Sequence, residues 1–336
     1  MKAVSLDLSS KEDRSRLCEV DLPVPPLRSG EVRVRTKAVS FNPIDVQIRR
    51  SRLEDKPLWS PILGRDLAGV VEAVAADVTA FRPGDEVFSN VCNRSSSGTY
   101  AELVNIPHEL AAKKPSSLNW QEAAALPVAG TTAMLALDRA AASASTSLFI
   151  ARGAGGVGSF AIVLAQRMGL RRLIVTARRE DSRRHLIDAL RVPPDQILDS
   201  NYSAFFDMAV ARNEGLFDVT LDLVGGRMLS TCCRLVAVDG RVVSATEFPS
   251  VDDGEFLFER NASFCAIGAH AHSLSEDRRA WATYRARLDE LARCFDGGEL
   301  PPPRVTVVGP FSVHTVERAH ALLEQGAVQG KLTMVF

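Results

Sequence analysis

Gly153-Ala-Gly155-Gly156-Val157-Gly158 places three glycines at G-x-G-x-x-G spacing, after the apolar run Leu148-Phe-Ile and before the amphipathic run Ser159-Phe-Ala-Ile-Val-Leu-Ala-Gln. A strand, a glycine turn and a helix in that order can hold a dinucleotide. Glycine permits the tight turn, lets backbone approach a pyrophosphate and lets helix pack on strand, while free N–H groups at the helix start face the anion. The plainer alternative is a glycine-rich turn that binds nothing.

Which nucleotide would bind is read from the next strand. In NAD-selective sites a carboxylate about twenty residues beyond the glycines holds the adenosine ribose hydroxyls. Here the second strand ends Thr176-Ala177-Arg178-Arg179, with Arg183 and Arg184 following, and the acid is missing. Arginine can hold a phosphate through two parallel hydrogen bonds, so the pattern favours NADPH over NADH. A solvated basic helix start beside Glu180 and Asp181 would look the same. Arg152, inside the glycine turn, has no role that the motif explains.

These residues need elements to position them. The first third alternates strand-like segments with turns: Met1-Lys-Ala-Val-Ser-Leu, the period-two run Glu31-Val-Arg-Val-Arg-Thr-Lys-Ala-Val, and Ala68-Gly-Val-Val-Glu-Ala-Val, with a turn at Pro83-Gly84-Asp85. From about Trp120, helical runs alternate with short apolar strands at Leu148, Leu173, Val219, Arg241 and Phe264, which predicts a parallel sheet covered on both faces. A helix over Arg278 to Phe295 comes next, and Pro301-Pro302-Pro303 breaks the chain. Beyond it lie a strand, a helix and a last strand, Lys331-Leu-Thr-Met-Val-Phe. The tail is predicted to fold back onto the first third, making the nucleotide domain an insertion.

At 336 residues the chain has room for two domains, and 46% hydrophobic residues fit a globular protein. A formal charge of −1 gives no global attraction to nucleic acid or to an anionic membrane. No apolar stretch reaches membrane-spanning length free of charge, and the opening residues lack signal-peptide character, so a cytoplasmic setting is expected. The six cysteines show no metal-like spacing, and reduced thiols are the simplest reading.

Several segments together resemble the medium-chain dehydrogenase/reductase superfamily, and within it the zinc-free quinone oxidoreductases that include zeta-crystallin. The carriers are Ser40-Phe-Asn-Pro-Ile-Asp45, Gly64-Arg-Asp-Leu-Ala-Gly, Pro83-Gly-Asp-Glu-Val-Phe, Gly98-Thr-Tyr-Ala-Glu, Glu122-Ala-Ala-Ala-Leu-Pro-Val-Ala-Gly-Thr-Thr-Ala, Ala154-Gly-Gly-Val-Gly, Leu221-Asp-Leu-Val-Gly-Gly and Gly330-Lys331. The resemblance implies an α/β fold: a GroES-like β-rich catalytic domain over 1–120, completed by 300–336, and a doubly wound Rossmann domain over 121–299, with a cleft where they meet. Zinc-dependent members carry a cysteine where this chain matches at Asn42, and a histidine where it has Arg65. An amide binds zinc poorly and a guanidinium has no lone pair to give, so no metal is expected. His270 and His272, read as two apart on one strand, lack a third ligand and make a poor metal site.

Without a metal, reducing an isolated carbonyl leaves the developing alkoxide unsupported, whereas quinones and α,β-unsaturated carbonyls spread the charge by conjugation. The expected activity is NADPH-dependent reduction of a small quinone or enone. The matching segment offers Asn42, Asp45 and Gln47 as catalytic residues, although Asn42-Pro43-Ile44-Asp45 also reads as a turn held by its own side chains. No general acid is evident. Some relatives place tyrosines where Gln47 and Leu53 stand.

For the cofactor, the resemblance points to Asn42 and to Thr132 near the nicotinamide ribose. It assigns Gly153, Ala154, Gly155, Gly156, Val157 and Gly158 to the pyrophosphate, and Thr176, Arg178, Arg179 and Arg183 to the adenosine end. Val224, Gly268, Ala269 and His270 are expected near the nicotinamide, and Lys331 at the far rim of the cleft, unless it is a plain surface lysine.

Two rivals stay open. An enoyl-thioester reductase would need a basic patch for the carrier's phosphate, which Arg49, Arg50 and Arg52 could supply. A non-catalytic NADPH-binding protein would bind nucleotide without oxidising it. Homodimerisation through the last strand of the parallel sheet, at Phe264-Cys-Ala-Ile-Gly-Ala, is expected from the resemblance.

Overall fold

β-branched and aromatic residues dictate where strands form, and turn residues dictate where they stop. The computed structural model describes residues 1–7, 9, 15–50, 60–91, 98–201, 204–275, 277–326 and 328–336. In chain order, β1 (Lys2–Leu6) and β2 (Leu17–Asp21) pair antiparallel. There follow β3 (Glu31–Ser40), α1 (Pro43–Arg50), β4 (Asp66–Val74), β5 (Glu86–Asn90), β6 (Leu103–Pro107), β7 (Ala111–Lys113), α2 (Trp120–Ala124) and α3 (Pro127–Arg139). The alternating stretch is β8 (Leu148–Ile150), α4 (Gly156–Arg167), β9 (Leu173–Thr176), α5 (Glu180–Arg184), β10 (Ile197–Leu198), α6 (Phe205–Asn213), β11 (Phe217–Asp222), α7 (Arg227–Leu235), β12 (Val236–Ser244), α8 (Val251–Glu259) and β13 (Ser263–Ala266). The chain closes with α9 (His270–Leu274), α10 (Arg278–Asp296), β14 (Val305–Pro310), α11 (Val313–Glu324) and β15 (Lys331–Val335).

The chain divides into two compact units, one of Met1–Thr131 with His270–Phe336 and one of Thr132–Ala269. The first is built on a seven-stranded sheet of order β14-β15-β3-β4-β5-β7, with β6 also paired to β3. Its tail strand β15 pairs antiparallel with β3, Thr333 opposite Ser40, and carries β14 parallel on its other edge. The sequence places the helix at Arg278 with the nucleotide domain, but the contacts group it with the first unit. The reason is local. Gly130 lets α3 close on Leu291, Arg285 stacks over Phe81 at 5.2 Å, and Asp296 accepts from Ser116 Oγ and the Ser117 N–H, each at 3.0 Å.

The second unit is a six-stranded parallel sheet of order β10-β9-β8-β11-β12-β13. Numbered within the unit this is 3-2-1-4-5-6, the order of doubly wound dinucleotide folds, and it reverses direction between β8 and β11. The sheet buries Phe149, Ile174, Phe217 and Val242 under α6, α7 and α8, with the Phe149 and Phe217 rings 5.5 Å apart.

Candidate functional site

The glycine turn lies where the strand order reverses. β8 ends at Ile150 and α4 begins at Gly156, with Gly155 as its N-cap in extended conformation and no side-chain cap. The first amides of α4 are therefore left to backbone or ligand partners. A Cβ on Gly158 would lie 2.5 Å from the Arg152 carbonyl and 2.7 Å from that of Gly153, closer than carbon approaches oxygen. Thr176, buried at the end of β9, ties the turn from below. Its Oγ1 accepts from the Arg152 N–H at 2.8 Å and its carbonyl from the Gly153 N–H at 3.1 Å. Among the described residues the N–H groups of Gly156, Val157 and Gly158 have no hydrogen-bond partner, so this turn could receive a pyrophosphate.

The arginines expected at the adenosine end, where NADPH differs from NADH by its 2′-phosphate, are not equivalent. Arg179 is paired with Asp181, Nε to Oδ1 at 3.2 Å. Arg183 donates to the carbonyls of Ile197 at 3.2 Å and Pro194 at 3.1 Å, so much of its fork is engaged by backbone. Arg178 is exposed and donates only its Nε, to Asn201 Oδ1 at 3.2 Å, among the described residues. At the end of β11, Asp222 is fully buried and holds the loop carrying Val224. Its Oδ1 accepts from the N–H groups of Val224 and Gly225 at 3.0 Å, and its Oδ2 from Ser244 and Thr246.

In the first unit, two of the candidate catalytic residues, Asn42 and Asp45, join a buried polar network that the sequence showed only in part. Antiparallel register sets Thr333, Ser40, Asp66 and Asn90 side by side across four strands, on one face, all buried. Asp66 is the hub. Its Oδ2 accepts from Ser40 Oγ and from Asn42 Nδ2, both at 2.9 Å, and its Oδ1 from the Val128 N–H at 2.9 Å, near the start of α3. Lys331, only 5% exposed, donates to Asn42 Oδ1 at 2.5 Å and to the Phe41 carbonyl at 3.0 Å, with Asp66 Oδ2 at 3.5 Å. The Asn42 amide is thus clamped at both ends. Burial pushes the Asp66 carboxyl up, opposed first by the Lys331 charge, while burial pulls the Lys331 ammonium down and Asp66 holds it up. The lysine expected at a cleft rim or on the surface lies inside this network, because Asp66 is the anion that makes its burial tolerable.

Asp45 Oδ2 accepts from the Asn42 N–H at 2.8 Å, which makes Asn42 to Asp45 a turn held by its own side chains as it enters α1. Its Oδ1 is buried with no hydrogen-bond partner within normal distance among the described residues, and burial raises its pKa to about 7 against the charge of Arg65. Arg65 is 6% exposed, with Nε and Nη1 lacking hydrogen-bond partners among the described residues. Tyr100, fully buried, meets His320 at 3.2 Å, and burial drops the His320 pKa to about 3, so the ring is neutral near pH 7. Gln47 is exposed on α1, outside the network, and Leu53 and Arg52 lie outside the described residues.

Two expectations change, those for His270 with His272 and for Arg49 with Arg50. His270 and His272 lie on helix α9 and not on a strand, about 200° apart around its axis, so they face different ways. Among the described residues no group of three His, Cys, Asp or Glu is placed to hold a metal ion. Arg49 and Arg50 are drawn to Glu317 at 3.9 Å and Glu324 at 2.7 Å, both on α11, so they form no open basic patch. Gly268 and Ala269 follow β13, and Thr132 is buried on α3. Asp66 and Arg152 were missed as site residues. The available signal for Asp66 was a carboxylate opening the apolar run Leu67-Ala-Gly-Val-Val of β4.

Residues 28–116 match the family model of the alcohol dehydrogenase GroES-like domain, and residues 194–333 match that of the zinc-binding dehydrogenase. A chloroplastic NADPH-dependent alkenal/one oxidoreductase of Arabidopsis thaliana is 28% identical over 94% of this chain and 75% of its own length. A solved Rhizobium etli structure, assigned to the zinc-dependent alcohol dehydrogenases, is 30% identical with a TM-score of 0.86, over 100% of this chain and 98% of that one. The quinone oxidoreductase of Coxiella burnetii is 27% identical with a TM-score of 0.81, over 100% and 99%. A highly reducing polyketide synthase of Gibberella zeae is 30% identical over 93% of this chain, which spans only 13% of that protein.

Proposed function

Because the chain belongs to the medium-chain dehydrogenase/reductase superfamily, in its zinc-free quinone oxidoreductase branch, we propose that it is an NADPH-dependent reductase of quinones and α,β-unsaturated carbonyls. One observation carries this reading. The Asn42 amide is locked between Lys331 and Asp66, and by the family resemblance Asn42 and Arg65 stand where zinc-dependent members carry a cysteine and a histidine. An amide clamped at both ends and a guanidinium cannot anchor a Lewis acid. The acceptor must then carry its own developing charge, which a conjugated carbonyl does.

When bound, the nicotinamide supplies the hydride. The chain's own residues bind, orient and exclude. The glycine turn and the first amides of α4 seat the pyrophosphate, and Thr176 keeps that turn closed on β9. Asp66, through Ser40, Asn42, Lys331 and Val128, fixes the geometry at the head of α3 and leaves one Asn42 N–H to be offered to a carbonyl or carboxamide oxygen. Protonation of the product is assigned to water.

An absorbance trace of NADPH oxidation tests the proposal. Turnover is expected with 9,10-phenanthrenequinone and with simple enones, unchanged by a chelator, and not with saturated ketones. Turnover of crotonyl-CoA alone would make the chain an enoyl-thioester reductase, a reading weakened by the ion pairing of Arg49 and Arg50. Tight NADPH binding with no acceptor reduced would make it a non-catalytic binder.

The chain is further proposed to act as a homodimer joined through β13. That strand is the edge of the parallel sheet, and Phe248 packs beside its Phe264 with the ring of Phe248 itself largely exposed.

A further inference from the structure

Arg152 is the residue of the glycine turn that its motif does not explain, and its surroundings are unusual in three respects. Its backbone sits at φ 64°, in the left-handed region that favours glycine, although glycines follow it in the turn and another at this position would have been unstrained. Its side chain folds back over the turn, so that a Cβ on Gly155 would lie 3.6 Å from Arg152 Nε and 3.9 Å from its Cγ. Its guanidinium makes no hydrogen bond or ion pair among the described residues, and the charge that acts on it most is that of another cation, Arg178. Partial burial and that like charge both hold its pKa below the ordinary guanidinium range.

Two cations held together with no anion between them are unfavourable, the more so when one is partly withdrawn from water. Neighbouring arginines avoid this situation. Arg179 has Asp181, Arg183 has the carbonyls of Pro194 and Ile197, and Arg172 has the carbonyl of Asn213. Arg178 gives only its Nε to Asn201, keeping its other donors available among the described residues. Parallel pairing of β8 with β9, and the Arg152 N–H on Thr176 Oγ1 at 2.8 Å, place Arg152 and Arg178 just beyond the ends of neighbouring strands, each with guanidinium donors unfilled among the described residues.

We propose that Arg152 and Arg178 form a two-sided clamp on the 2′-phosphate of the adenosine ribose, with Arg152 as the residue that sets the preference for the phosphorylated dinucleotide. A 2′-phosphate carries close to two negative charges and three acceptor oxygens, enough to accept from both guanidinium forks and to remove their repulsion. NADH brings no charge to that position, so it leaves the two cations facing each other. Arg152 is preferred to Arg179 and Arg183 for this role because Arg179 already has the counter-charge of Asp181 and both Arg183 Nη groups are held by backbone carbonyls. This inference rests on the dinucleotide reading of the glycine turn made above.

Binding measured without turnover tests it. Isothermal titration of NADPH, NADH, 2′,5′-ADP and 5′-AMP is compared for the wild type, Arg152→Gly and Arg152→Lys. Glycine is the informative replacement, since it keeps the left-handed backbone and relieves its strain. Arg152→Gly should fold, melt at or above the wild-type temperature without ligand, and lose roughly 10- to 100-fold in affinity for NADPH and 2′,5′-ADP. Its affinity for NADH and 5′-AMP should change less than about twofold. Arg152→Lys should fall between, since a lysine keeps the charge and loses the fork. Equal losses for NADPH and NADH would place Arg152 on the pyrophosphate and overturn the proposal, as would no loss for either. If the wild type binds neither dinucleotide, it is the cofactor reading of the whole site that fails.

Discussion

At the scale of single residues, the buried network sets two titrations against each other. Asp45 has its pKa raised by burial to about 7, from an ordinary 3.8. Between those values the folded chain holds a proton that the unfolded chain has released, so stability falls as pH rises through that window. His320 has its pKa lowered by burial to about 3, from 6.5, and the sign reverses: the unfolded chain holds the extra proton, so stability rises with pH up to about 6.5. Each slope is about 1.4 kcal/mol per pH unit, and from about pH 4 to 6.5 they oppose each other. Asp45→Asn should therefore melt at rising temperature from pH 4.5 to 6.5, and His320→Gln at falling temperature over the same range. Parallel melting curves against pH for both variants and the wild type would show that neither group is perturbed as described.

At the scale of elements, each site is made by the way one segment ends and the next begins. Glycine at 158 is required by the carbonyls of Arg152 and Gly153, so Gly158→Ala must open the turn. We expect a loss of about 1–3 kcal/mol in stability and equal weakening of NADPH and NADH, measured by melting and by nucleotide titration. Unchanged binding of both would remove the turn from the nucleotide site. This element was readable in the sequence because strand, glycines and helix are contiguous, and one local pattern contains all of it. The polar network was not, because Ser40, Asp66, Asn90 and Thr333 come from four strands brought into line only by register. Asn42 and Asp45 could be chosen from their segment, whereas the burial of Lys331 depends on where β15 pairs. Gln47 was chosen from the same segment as Asn42, and helical geometry turned it to solvent. The period of α9 likewise replaced the strand expected for His270 and His272.

At the scale of the whole molecule, the proposed dimer would form at the edge of the parallel sheet. Phe258 is 88% exposed and Val251 81%, both on α8, with Phe248 nearby in sequence at 77%. Isolated exposed apolar residues are ordinary, but three within eleven positions leading into the edge strand favour association. Sedimentation at micromolar concentration should give a dimer, and Phe258→Asp together with Phe248→Asp should shift it toward monomer. A wild type that sediments as a monomer would remove the dimer. The discontinuity of the first unit has a consequence in time. The parallel-sheet unit is complete once Ala269 has been synthesised, but Asp66 receives its counter-charge only when Lys331 emerges, seconds later at about 5–20 residues per second. During translation, then, the β-rich half waits with its central carboxylate uncompensated, and the last strand acts as the latch whose arrival commits that half to its final form.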